Sequence, residues 1–113
     1  MPQSTSVSHL VFARARIGQS DQLGARLDNL IAPSLNAPGC LEFALRHSAR
    51  DPDLWLVSGS WTDEQAMNAW FNTPHLQVFS EIVQELIVSS LDFHTFATDD
   101  GADANVQQML RAI

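Results

Sequence analysis

Basic residues are scarce in this chain: six against 13 acidic ones, a formal net charge of −7 over 113 residues. Nucleic-acid-binding domains draw most of their affinity from phosphate neutralisation and carry a basic patch to supply it. No such patch is visible, so nucleic acid and anionic membrane surfaces are excluded as expected partners. Cysteine is scarcer still. The lone Cys40 can neither close an intramolecular disulfide nor anchor a multi-thiolate zinc site. No two histidines stand at i, i+4, so no metal site is expected. Nowhere does the sequence hold the ~18 consecutive apolar residues that a membrane span requires. The opening Met-Pro-Gln-Ser-Thr-Ser lacks the positive charge and apolar run of a secretory signal. These absences set the expectation of a cytoplasmic protein.

What is present is an ordinary globular composition, 45% apolar, in a length that suits one domain. A chain this short buries only about two-thirds of its unfolded surface, so association with a second copy would add to a modest core. Residues 1–6 read as a loose N-terminus. Val7 to Ile17 reads as a strand in which Leu10 and Phe12 alternate with Val11 and Ala13, leaving both faces partly apolar. Ser20 is a candidate N-cap for a helix whose stripe is Leu23, Leu27, Leu30 and Ile31, ending near Pro33. Ala37-Pro38-Gly39 is a turn. Cys40 to His47 reads as a second strand with Leu41, Phe43 and Leu45 on one face, and Ser48 to Asp53 as a hairpin loop. Leu54 to Trp61 is a third strand that carries Trp55, Val57, Gly59 and Trp61 on one face.

Thr62 has the capping-box spacing to Gln65, before a helix with Ala66, Ala69 and Trp70 inward. Asn72-Thr73-Pro74 interrupts it. Thr73 can cap a new helix with Pro74 in first position, and Leu76, Phe79, Val83 and Leu86 continue its stripe. Ile87 to Ala97 is a fourth strand. In the tail, 98–113, Val106, Met109, Leu110 and Ile113 share one face of a short predicted helix. Two β-α-β halves in one short chain predict an α+β, ferredoxin-like β-α-β-β-α-β domain over residues 7–97 with an antiparallel sheet and helices on one face. The other sheet face is apolar too, which predicts that two sheets pack face to face in a twofold homodimer.

Pro38-Gly39-Cys40-Leu41-Glu42-Phe43, Trp61-Thr62-Asp63-Glu64, Ala69-Trp70, Thr73-Pro74-His75 and Phe79, in that order and spacing, resemble antibiotic-biosynthesis monooxygenase domains. The match runs over residues 7 to 97. It implies a dimeric α+β barrel with a pocket between helices and sheet. Members of that family oxidise phenols or quinols with dioxygen and no cofactor; relatives degrade haem. The resemblance implies that Trp70 is the helix tryptophan lining the pocket. It also implies that His75 matches the Ser-Pro-His motif of the quinol-oxidising branch, the branch closest in pattern. That branch has histidine where Trp70 stands and glutamate where Gly59 stands. Asparagine, used by aromatic-polyketide oxidisers, is replaced by Ala66. The haem ligand position is Ser80, and the haem degraders' first-strand asparagine aligns with Ala15.

Cofactor-free oxidation needs a dry aromatic pocket, a group that takes one proton and donors that hold the anion. The expected catalytic pair is Trp70, stacking on the substrate, and His75, exchanging the proton. His75 stands second in a predicted helix, where the dipole disfavours a positive charge and keeps the imidazole a base. Phe43, Asn68, His9 and Trp61 are the expected substrate-binding residues, and no cofactor is expected. Against each stands a structural role: core packing for Trp70 and Trp61, a surface or cap position for His75. His9 and His94, on neighbouring strands, read as buried and satisfied. A non-catalytic binding module on the same scaffold is the alternative, and haem degradation ranks below both.

Overall fold

The computed structural model describes residues 5–97. The expected tail helix, and most of the stretch before Val7, lie outside that range. The elements are β1 (Val7–Ala15), α1 (Ser20–Asp28), α2 (Ile31–Leu35), β2 (Cys40–His47), β3 (Leu54–Trp61), α3 (Glu64–Phe71), a 3₁₀ turn (Pro74–Leu76), α4 (Gln77–Gln84) and β4 (Val88–Ala97). The four strands form one antiparallel sheet in the order β2-β3-β1-β4. This is the α+β ferredoxin-like arrangement. No helix among the described residues is long and apolar enough to cross a membrane.

Strand alternation sorts the sheet into two faces. Val7, His9, Val11, Ala13 and Ala15 of β1 are buried on the helix side, where Val57, Trp61 and Phe43 join them. Leu23, Leu27 and Leu30, then Met67, Trp70, Phe79 and Ile82, close the core from the helices. On the open face Leu10, Phe12, Leu54 and Leu56 are only half-buried, and Phe96 is exposed.

Several local expectations are corrected. The first helix is broken after Asp28, and Pro33 lies inside α2 rather than beyond it. Pro33 is the third residue of α2, in the turn where backbone N–H groups have no intrahelical partner, so its missing donor costs nothing. Ser20 is the first residue of α1 rather than its cap: its hydroxyl donates to the Pro52 carbonyl and accepts from Trp55 Nε1 at 3.0 Å. The cap of α3 is Asp63, not Thr62. Asp63 is extended and its Oδ1 accepts from Ala66 N at 2.8 Å, while the Thr62 N–H is held by the Gly39 carbonyl at 2.8 Å. The register moves one residue, so Met67 and Trp70 face the core and Ala69 is exposed.

In β2 the pairing passes from Cys40–Trp61 to Glu42–Ser60. Leu41 is the extra residue of a bulge and is exposed, no longer sharing a face with Phe43. The tighter 3₁₀ turn before α4 advances the helical phase. Phe79 and Ile82 are buried there, whereas Val83 and Leu86 face solvent. Leu86 ends α4 in the left-handed region (φ 58°), and Ile87 N bonds the Ile82 carbonyl at 2.9 Å, the closure that helix ends usually make with glycine. Arg26 of α1 ties the two crossover halves together, bonding Glu85 through both guanidinium nitrogens (2.8 and 3.0 Å) and Glu81 at 2.9 Å.

Gly39 turns the chain at φ +81°, where a Cβ would meet Ala66 Cβ at 2.6 Å. Gly24 is needed for space: a Cβ there would lie 2.5 Å from the Trp55 indole. Alanine in mid-helix normally gains about 1 kcal/mol over glycine. At Gly24 overpacking of about 1–3 kcal/mol outweighs that gain. Gly24→Ala is therefore expected to lower the urea midpoint at unchanged m-value.

Candidate functional site

One row of the sheet, on its helix side, runs Phe43–Gly59–His9–Thr95, each residue directly opposite the next on the neighbouring strand. His9 enters the core because it shares the inward phase of Val7 and Val11, and it is only 4% exposed. Its Nδ1 and Thr95 Oγ1 are 2.9 Å apart. Its Nε2 has no hydrogen-bond partner among the described residues. Three aromatic rings surround it: Phe71 edge-on at 4.7 Å, Trp70 at 6.0 Å and Phe93 nearly parallel at 5.9 Å. Burial pushes the His9 pKa down, and the nearby His94 adds to the effect. The imidazole is thereby biased toward its neutral form.

Above this row lie two buried indoles, Trp61 and Trp70, with ring centroids 5.0 Å apart. Trp70 Nε1 donates to Oγ of the wholly buried Ser34 at 2.8 Å, which locks the ring to α2. Trp61 Nε1, like His9 Nε2, has no partner among the described residues. It lies 3.4 Å from where a Gly59 Cβ would stand, and Phe43 Cδ2 lies 2.9 Å from that point. Gly59 faces His9 across the strand pair, so both unpaired nitrogens belong to the same part of the core. An unsatisfied buried polar group costs about 1–3 kcal/mol, so two in one aromatic cluster are a functional signal.

This arrangement has definite chemical capacities. The Trp61 N–H is a donor only. His9 Nε2 is a base when Nδ1 carries the proton and donates it to Thr95, and a donor when the Thr95 hydroxyl donates to Nδ1. The cluster thus holds one nitrogen able to accept a proton and one N–H donor among aromatic rings.

The expected site residues divide. Trp70, Trp61, Phe43 and His9 are buried in this one cluster, Trp70 edge-on to Phe43 at 5.6 Å. Asn68 lies on the exposed side of α3, its carbonyl accepting from Asn72 Nδ2 at 2.9 Å. His75 is exposed on the 3₁₀ turn and lines a hollow of about 230 Å³ with Arg26, Asn29, Leu30, Pro74, Gln77, Val78 and Glu81, a lining without Trp70. The α-helix begins only at Gln77, so the dipole argument for His75 loses the helix it assumed. His94 pairs with Leu10 and therefore sits on the sheet face opposite to His9. The sequence reading passed over Ser34, Thr95, Phe71 and Phe93. Thr95 and Phe93 become visible once β4 is placed in register with β1; Ser34 carries no sequence signal beyond its place after Pro33.

Cys40 is half-buried, its Sγ 3.5 Å from the Glu42 carbonyl, and burial pushes its thiol pKa up, as for a small packing residue. Among the described residues no three His, Cys, Asp or Glu side chains come together as a metal cluster.

The sequence profile described as Antibiotic biosynthesis monooxygenase matches residues 6–82. The chain belongs to that family. No curated protein matches the sequence. The crystal structure of PA3566 from Pseudomonas aeruginosa is 25% identical, with 88% of this chain and 99% of that one covered at a TM-score of 0.78. SO0527 from Shewanella oneidensis is 19% identical, covering 85% and 93% at 0.78. A mutant of SnoaB, a cofactor-independent oxygenase from Streptomyces nogalater, is 14% identical, covering 84% and 93% at 0.71. At these last two identities the likeness is one of fold. At Gly59, Phe43 Cδ2 and Trp61 Nε1 crowd the side where a side chain would stand.

A histidine with a depressed folded pKa makes stability pH-dependent. Below the unfolded value of about 6.5 the unfolded chain takes up a proton that folded His9 refuses. Unfolding free energy therefore falls with pH, by up to about 1.4 kcal/mol per unit, until the folded pKa is passed. Urea titrations between pH 7.5 and 5 are expected to show this loss, and His9→Gln to flatten it. Equal slopes in the two proteins would show that His9 is not held neutral.

Proposed function

We propose that this family member is a cofactor-independent monooxygenase acting on a small electron-rich phenol or quinol, with His9 as the proton-exchanging residue. One observation carries the reading: His9 Nε2 and Trp61 Nε1 lie unpaired in the same aromatic cluster on the helix side of the sheet. Trp70 and Phe43 supply stacking walls, and Thr95 sets the His9 tautomer.

In this mechanism His9 Nε2 accepts the phenolic proton. The Trp61 N–H stabilises the phenolate in a water-poor setting, where such a contact is stronger than in solution. The electron-rich anion then reduces dioxygen directly. For a quinol the balance closes without an external reductant: one oxygen atom becomes a new hydroxyl on the quinone product, and the other leaves as water. His75, exposed and apart from Trp70, has at most a part in proton exchange with solvent on this reading.

The test is dioxygen uptake with a panel of hydroquinones and hydroxylated fused-ring phenols. The wild type is expected to turn over at least one class, with His9→Gln lowering kcat by about 10²–10⁴-fold and His75→Ala changing it little. A rate that survives in His9→Gln but disappears in His75→Ala would return the base to His75.

The same proposal includes a cytoplasmic homodimer joined through the open sheet face. Leu10, Phe12, Leu54 and Leu56 form its apolar centre with Phe96 at one side, and an apolar patch of this kind usually marks an interface. Light scattering at micromolar concentration is expected to give twice the chain mass, and Phe12→Asp to give a monomer. A monomeric wild type would defeat this part.

A further inference from the structure

The cluster around His9 is closed on nearly every side. Trp61, Trp70, Phe43 and Phe79 are each at least nine-tenths buried. Trp70 is also held by Ser34. Phe71 is half-buried on α3, where the preceding helical turn limits its side-chain rotamers. Phe93 differs from all of them. It lies on β4, which ends the sheet order, and it is 48% exposed. One side of its ring faces His9 in near-parallel stacking (5.9 Å, 25°), and it also meets Phe79 edge-on at 5.4 Å. Phe93 is thus the most exposed of the rings packed against His9.

We propose that Phe93 is the gate of this site and its specificity-determining residue: its ring rotates outward, and a planar aromatic ligand passes through the opening it leaves toward His9 Nε2. The ligand class follows from the opening. The arriving group must be flat, must present a leading ring no broader than the phenyl that moves aside, and must carry a hydroxyl that can reach His9 Nε2. Saturated or branched substrates do not fit the slot that a phenyl leaves.

This inference rests on the reading that His9 Nε2 meets the ligand, but access can be measured without turnover. Diethyl pyrocarbonate acylates unprotonated imidazole, and peptide mass spectrometry resolves His9, His47, His75 and His94 separately. In the full chain His9 is expected to react much more slowly than the exposed His75. Phe93→Ala is expected to raise the His9 rate several-fold with His75 unchanged, and Phe93→Trp to lower it. Phe71→Ala, which removes the ring packed edge-on to His9 from α3, controls for general loosening, with circular dichroism confirming that each variant is folded at the labelling temperature.

Equal His9 rates in wild type and both Phe93 variants would overturn the gate. So would an increase in Phe71→Ala as large as that in Phe93→Ala. Gated labelling without dioxygen uptake on any quinol would keep the gate and defeat the proposed oxidation. Uptake with labelling indifferent to Phe93 would do the reverse.

Discussion

Everything in this structure leans on the contact between two buried indoles. Trp61 closes β3 and Trp70 sits in the last turn of α3, with ring centroids 5.0 Å apart. Each such ring removes roughly 150–250 Å² from water, which at ~25 cal/mol per Å² amounts to about 4–6 kcal/mol per ring, an upper figure because the unfolded chain is already partly compact. The pair fixes the height of α3 above the sheet. The bond from Trp70 Nε1 to Ser34 then brings α2 to the same point, so one side chain joins a helix from each half of the fold.

With the two indoles in place, His9 has a defined surrounding. A histidine is an expensive guest in a core of Val, Ala, Leu and aromatic side chains. Thr95 satisfies one of its nitrogens, and the neutral form lowers the cost of the other. Replacement by a packed hydrophobe would spare the remaining penalty. Rule-breaking of this kind, in a core otherwise consistent with its pattern, is what binding and catalytic sites impose on folds.

Much of this was legible in the sequence. Period-two alternation placed Val57, Gly59 and Trp61 on one face, and the order of elements followed from turns and caps with strong local chemistry. The family, too, could be recognised from short motifs in the right order. Errors arose where one residue of phase decides a face. The bulge at Leu41, the cap shift from Thr62 to Asp63 and the 3₁₀ turn at Pro74–Leu76 each displaced a stripe by a residue or so. Local sequence carries no record of such shifts, because Thr62 would serve as a cap if Gly39 did not hold its backbone. The candidate site was legible in part. Trp70, Trp61, Phe43 and His9 stand together as buried residues, whereas His75 and Asn68 are exposed elsewhere. What singles out His9 is an unpaired nitrogen and a partner 86 residues away, and neither is a property of nearby sequence.

The sheet order has a consequence for how the molecule comes to exist. β1 is an interior strand bonded to β3 on one side and β4 on the other, so the first strand made needs the last one before its ladders are complete. Val7 pairs with Ala97. At a synthesis rate of about 5–20 residues per second, an apolar segment rich in Val, Leu and Phe waits on the order of several seconds with an open edge. Closure of so long a loop makes pairing slow relative to helix formation. The nascent chain is thus most open to misassociation at its N-terminal strand, and β4, the thinly covered edge that carries Phe93, is also the strand whose arrival ends that exposure.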